Sequence, residues 1–372
     1  MMGDFLYAVS GDQLSMRDWA NLPEELLSLI LSNLFAKDKH DFVLVCKSWN
    51  KSAKFSPFRH SPCLMFYERS NYTWKLFQYN SFFSMALPQH LNRADIRCAK
   101  HGWMLVTKPD YTMFFYDPFN NETIHLCKLG RVWKVLCFFH PPTHPDCFII
   151  GISSMVCTKD VEIGILRRGE NEWSKSVYQS KSDFKLSVCT PVLLHQQQLL
   201  HFLDMGGDIG TFDVGKSGSS DSWTVQSKCL WPSRLRGKIQ QHFLIELWDE
   251  RVLLSVLVMH EERKVNVFRL LVLPENRMRW DPVEDLGDKV LYVSHTASFA
   301  ATAPRQSMAN RIYFAKMHGD DDDVVFYCLS TRRYRTCKCD FSSKKSYGFR
   351  DLSFATWITA TPTPEFPRDL TW

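Results

Sequence analysis

The stretch Val161-Glu-Ile-Gly-Ile-Leu166, followed by the polar turn Gly169-Glu-Asn-Glu172 and then Trp173, is one copy of a repeat. Each copy is an apolar strand, a polar turn, and then Trp or another β-former. Cys63–Tyr67 leads to Trp74, Met113–Tyr116 to Thr123, and Ile209–Phe212 to Trp223. Val267–Leu271 leads to Trp280, and Val324–Cys328 to Tyr334. Successive anchors from position 74 onward lie 49, 50, 50, 57 and 54 residues apart. A second apolar run precedes most copies: His101–Val106, Gln197–Leu203, Asp249–Val256 and Asn310–Phe314. Each period of about 50 residues thus holds two hairpins, the signature of a four-stranded propeller blade. The run Asp351–Ile358 is placed to supply strands missing from the first copy, a closure that removes sheet edges. The expected fold is α+β multidomain: a small all-α head, then an all-β propeller of about six blades, with room for a seventh.

Composition agrees with a large core and a β-rich chain. Of 372 residues, 45% are hydrophobic and 14% aromatic. The formal net charge of +5 is modest, and basic residues occur only as short pairs such as Arg167-Arg168, Arg332-Arg333 and Lys344-Lys345. Nucleic-acid binding needs a more clustered field and is not expected. The first residues, Met1–Asp12, have neither a basic start nor a long apolar run, so no secretory signal is read there. No stretch approaches a membrane span. The twelve cysteines, Cys137, Cys157 and Cys328 among them, sit mostly in apolar runs and read as buried free thiols, not disulfides. The Asn-x-Thr triplets at Asn71 and Asn121 are then not expected to carry glycans. A cytoplasmic or nuclear location follows as an expectation.

Residues 17–54 have a different character. Pro23 suits a first helical turn, and Glu24 and Glu25 favour its positive end. Leu22, Leu26, Ile30 and Leu34 recur every four residues and line one helical face, while Leu27, Leu29 and Leu31 add apolar surface elsewhere. A second helix follows, with Phe42, Val45, Cys46, Trp49 and Ala53 on one stripe. So few residues cannot cover that much leucine, so a partner is expected. The expected layout is a flexible tail over 1–16, a helical domain over 17–57, and the propeller over 58–372.

The order Leu22-Pro23, Leu26-Leu27, Ile30-Leu31, Leu34, Asp38, Phe42 and Val45-Cys46-Lys47-x-Trp49 resembles an F-box. That resemblance implies docking on a Skp-type adaptor of a cullin ubiquitin ligase, through Leu22, Pro23, Leu26, Leu27, Ile30, Leu34, Val45 and Trp49. Phe35 stands where a proline is common in that family, and Lys39 where a leucine is usual. From about residue 60 to 360 the chain resembles the KIB-type propeller of plant F-box proteins. The matching blocks are His101-Gly-Trp103 with Tyr116-Asp-Pro-Phe-Asn-Asn-Glu-Thr123, His242–Leu254, Trp280–Tyr292 and Asn310–Phe314. Together the two resemblances imply a substrate receptor whose propeller binds a target for ubiquitination. A binding protein that sequesters a partner such as a kinase, with the F-box idle, is the alternative.

No motif for bond chemistry or a cofactor emerges. Trp248-Asp249 and Trp280-Asp281 read as strand residues. Ser219–Trp223 lacks the glycine and spacing of a glycosidase Asp-box. His140, His144 and Cys147 share a Pro-rich loop without a zinc spacing, and Cys337-x-Cys339 is half a site at most. Asp320–Asp323 follows His318-Gly319 as a hairpin tip and lacks the spaced ligands of a calcium loop. No phosphate loop, nucleophile elbow or His-Glu-x-x-His is present. The expectation is a non-enzyme without a metal or cofactor.

Overall fold

The computed structural model describes residues 18–33, 42, 44–55, 62–68, 73–78, 81–85, 91, 93–154, 159–180, 183–194, 198–226, 229, 231, 232, 235, 237–247, 252–260, 264–274, 277–318, 323–336, 349–352, 355–359, 371 and 372. The tail over 1–16, Leu34, Phe35, Asp38, Lys39, Asn71, Cys157, the pair at 248–249, positions 319–322, Cys337 and Cys339 lie outside the described residues. The chain forms two compact units, Met1–Arg59 and His60–Trp372.

In the first unit a short 3-10 turn, Trp19–Asn21, precedes α1 (Glu24–Asn33) and α2 (Lys47–Phe55). The Pro23 carbonyl accepts the first bonds of α1 from the amides of Leu26 and Leu27, each at 3.1 Å. Proline fits here because its absent N–H would have been unpaired anyway.

The second unit is a six-bladed β-propeller. Its sheets succeed one another along the chain. The first contains β1 (Cys63–Glu68), β2 (Thr73–Gln78) and β3 (Ser81–Met85). The second is β4 (Asp95–Lys100), β5 (Trp103–Thr107), β6 (Met113–Asp117) and β7 (Glu122–His125). The third is β8 (Val135–Phe139), β9 (Phe148–Ser154), β10 (Asp160–Arg167) and β11 (Ser174–Gln179). The fourth is β12 (Val192–Leu194), β13 (Leu199–Leu203), β14 (Ile209–Asp213) and β15 (Trp223–Gln226). The fifth is β16 (Ile239–Leu247), β17 (Val252–Met259), β18 (Val265–Val272) and β19 (Met278–Val283). The sixth holds β20 (Lys289–Val293), β21 (Ser298–Thr302), β22 (Arg311–His318), β23 (Val324–Cys328) and β24 (Arg333–Arg335). There β25 (Phe349–Asp351) adds antiparallel to β22.

The repeat is the third and fourth strand of the sheet in copies two to five and the fourth and fifth in copy six. Its turn is built by local chemistry. In the second blade the buried Asp117 carboxylate accepts from the amides of Phe119, at 2.8 Å, and Asn120, at 3.1 Å. Asn121 then takes a left-handed φ of 55°, which asparagine tolerates better than most residues. In two blades the anchoring Trp lies over a glycine of the adjacent strand: Trp173 over Gly164, and Trp223 over Gly210. Removal of a side chain there makes the slot for the indole.

Two expectations need correction. In the first copy, Cys63–Tyr67 and Trp74 fall on β1 and β2, the second and third strands of the sheet, because the first strand comes from the far end of the sequence. That strand is β26 (Thr356–Ile358), antiparallel to β1, with Cys63 opposite Ile358 and Leu64 opposite Trp357. Of the run at 351–358, Asp351 instead belongs to β25. The sixth sheet also exceeds four strands, because β20 inserts parallel to β22 and places β21 at the inner edge.

Closure is held by aromatic packing. The Trp357 ring lies 4.9 Å from Tyr292 and 6.2 Å from Tyr313, and its Nε1 donates to the Val293 carbonyl at 3.2 Å. One side chain of β26 thus joins the sixth blade to the first. Edge-on rings at these separations add attraction beyond area burial.

Candidate functional site

On the helical unit, Leu27 and Leu31 are 1% and 0% exposed and close on Phe42. The Phe42 and Trp49 rings are 4.5 Å apart, and Trp49 Nε1 donates to the Trp19 carbonyl at 2.8 Å. Trp49 therefore ties the first turn to α2. Leu27 faces the interior, since residues i and i+4 of α1 turn toward the same neighbour; its contribution is to hold the helices together. Leu22 and Ile30 border this core, half-buried, and Pro23 is exposed. Leu26 and Leu29 remain 46% and 59% exposed, as do Leu44 at 68% and Val45 at 57%. The unit hides one leucine row and presents another to solvent.

The second surface is a cavity of about 270 Å³ on the propeller axis. The innermost strands β26, β4, β8, β12, β16 and β21 each contribute to its wall, with β26 packed on β4, β4 on β8, β12 on β16 and β16 on β21. Phe139, Phe299 and Trp357 supply aromatic wall, while Lys100, His101 and Glu246 supply polarity. The Lys100 ammonium lies 4.1 Å from the Phe139 ring centroid and donates to the Pro191 carbonyl at 3.3 Å. Burial raises the Glu246 carboxyl above its ordinary value, and the Lys100 charge opposes that shift. This concave, mostly apolar chamber with one cation and one carboxylate suits a small guest or an inserted side chain.

Sequence reading missed this chamber. Its lining comes from the ends of six strands far apart in the chain, so no spacing reveals it. The one local signal is Glu246, a carboxylate inside the apolar run Phe243–Leu247.

The remaining candidates take structural places. Trp280 is a buried residue of β19 whose Nε1 donates to the Gly207 carbonyl at 2.8 Å. Ser220–Ser222 forms a 3-10 turn capped by Ser219. The His140 and His144 rings stack at 5.3 Å, and the Cys147 thiol donates to the His140 carbonyl at 3.5 Å. Among the described residues no three metal-ligating side chains converge. No described helix is long and apolar enough to cross a membrane.

Comparison with known proteins matches this architecture. A family model described as KIB1-4 beta-propeller covers residues 34–347. The chain belongs to the KIB1-4 beta-propeller family. The match spans the described strands from β1 to β24 and stops short of β25 and β26. An F-box/kelch-repeat protein of Arabidopsis thaliana is 24% identical over 88% of this chain and 91% of its own. An F-box protein of the same plant is 28% identical over 88% of this chain and 66% of its own. Among solved structures, TolB from Acinetobacter baumannii aligns over 85% of this chain and 71% of its own, with TM-score 0.43 and 10% identity. The resemblance to plant F-box proteins with a KIB-type propeller is thus shared by family and relatives alike.

Proposed function

We propose that this KIB1-4 family member is the substrate-recognition subunit of a Skp–cullin-type ubiquitin ligase. The helical unit docks the adaptor and the propeller holds the target. The observation that carries this reading is the set of exposed apolar side chains Leu26, Leu29, Leu44 and Val45 on a unit whose core is already filled by Leu27, Leu31 and Phe42. So much exposed apolar surface on so small a unit favours a protein partner. It coincides with the F-box positions Leu26 and Val45, and relatives along most of the chain carry F-box names. Leu22, Pro23 and Ile30 flank the set and join the contact; Leu34 completes it in sequence.

The protein itself breaks no bond in this reading. It acts by holding a target near the conjugating enzyme and raising the effective concentration of its lysines. The axial cavity is the place for one anchoring side chain of that target. The test is co-purification of a Skp-type adaptor with the wild type and with Leu26→Ala/Val45→Ala. Both side chains are exposed, so the double variant keeps its fold. Loss of the adaptor supports the reading, and undiminished adaptor binding overturns it. A target whose half-life is unchanged on depletion of this protein would favour sequestration over degradation.

A further inference from the structure

Cys98 on β4 and Cys137 on β8 belong to the innermost strands of adjacent blades, and their sulfurs are 3.0 Å apart. Both side chains are fully buried. A buried thiol pair in contact across two blades is not needed to fill the core, since two small aliphatic side chains would do so. We propose that Cys98 and Cys137 form a reversible inter-blade disulfide when the protein meets a hydroperoxide.

The surroundings favour the chemistry. Burial pushes the Cys98 thiol well up, and its hydrogen bond to Cys137 adds to that. Burial acts on Cys137 in the same sense, but the bond from Cys98 and the nearby Lys100 ammonium outweigh it and bring this thiol below its ordinary value. Cys137 is therefore the more acidic of the two, the asymmetry that an attacking thiolate and a resolving thiol require. The Cys137 thiolate attacks the peroxide O–O bond, giving a sulfenic acid and releasing hydroxide. The Cys98 thiol then attacks that sulfur, the S–S bond forms, and water leaves. Two thiols are oxidised by two electrons and one hydroperoxide is reduced. Lys100, whose charge favours the Cys137 thiolate, also lines the axial cavity, two residues along β4 from Cys98. Other buried thiols differ: burial raises Cys189 and Cys229 to about 11, which keeps them protonated and slow. The cross-link would fasten two strands of the cavity wall and make the chamber responsive to oxidants.

The test uses the full chain treated with hydrogen peroxide, alkylated, and digested without reductant for mass spectrometry. The expected product is a peptide joining Cys98 to Cys137, two hydrogens lighter than the separate peptides, which dithiothreitol resolves. Cys98→Ser should lose the joined peptide and leave Cys137 to proceed to sulfinic acid. The wild-type readout stands by itself should that variant fold poorly. Recovery of both cysteines as alkylated thiols, or of over-oxidised Cys137 beside an intact Cys98 in the wild type, would overturn the proposal.

Discussion

Gly151 on β9 and Gly164 on β10 stand directly opposite one another, and the indole of Trp133 lies flat over both. A Cβ added at 164 would sit 2.6 Å from Trp133 Cζ2, and one at 151 would overlap the same ring. Gly151→Ala and Gly164→Ala should each destabilise the propeller by about 1–3 kcal/mol, the range for overpacking a filled core. Chemical denaturation of the two variants measures this. An unchanged midpoint in both would show that the indole moves aside freely.

Trp357 should be the most costly single truncation at the closure. Its replacement by alanine removes an aromatic side chain 3% exposed, with a loss of about 3–5 kcal/mol. It also frees β26 from the sixth blade, so hydrogen exchange should rise first at Cys63–Met65. Protection there equal to wild type would contradict this account of closure.

Acid should weaken the propeller before carboxylates titrate. Burial lowers His201 from 6.5 to about 4, and burial together with His295 lowers His242 to about 4. Nε2 of each has no hydrogen-bond partner among the described residues. The folded state therefore holds both rings neutral, while the unfolded chain protonates below its higher pKa. Stability is full above about pH 6.5 and falls as pH drops toward 4, by at most about 3 kcal/mol per histidine. His201→Gln and His242→Gln should flatten that fall in a pH series of thermal melts.

Glu246 is a half-buried carboxylate whose proton affinity is raised chiefly by desolvation. At neutral pH its charge is a net cost to the fold, so Glu246→Gln should raise the melting temperature. If the chamber anchors a target side chain through this carboxylate, the same variant should weaken target capture while adaptor binding persists. A lower melting temperature would instead make Lys100 the dominant influence on Glu246.

The repeat was readable because third-to-fourth-strand hairpins carry large side chains at a fixed place, as with Trp173 over Gly164 and Trp223 over Gly210. The first blade was read one strand out of step because β26 lies about a whole propeller away in sequence. The sequence of Lys289–Val293 carries no mark that it would run parallel to β22. At the helical unit, spacing gave the leucine rows but not which of them turns inward. The F-box resemblance counts Leu27 among the adaptor contacts, but its direction depends on where Phe42 and α2 come to rest, and it packs inward. The axial chamber escaped because six separate strand ends compose it.

The Trp357 seal also imposes an order of events during synthesis. The helical unit leaves the ribosome first and its contacts are local, so it can fold early. The propeller must wait for its last strand, because Cys63 finds its partner only when Ile358 has been made. Until then the edge of β1 is bare and exposed to unwanted pairing. In the proposed function, a nascent chain would thus be able to meet its adaptor before it could hold a target, so assembly with the ligase would precede recognition.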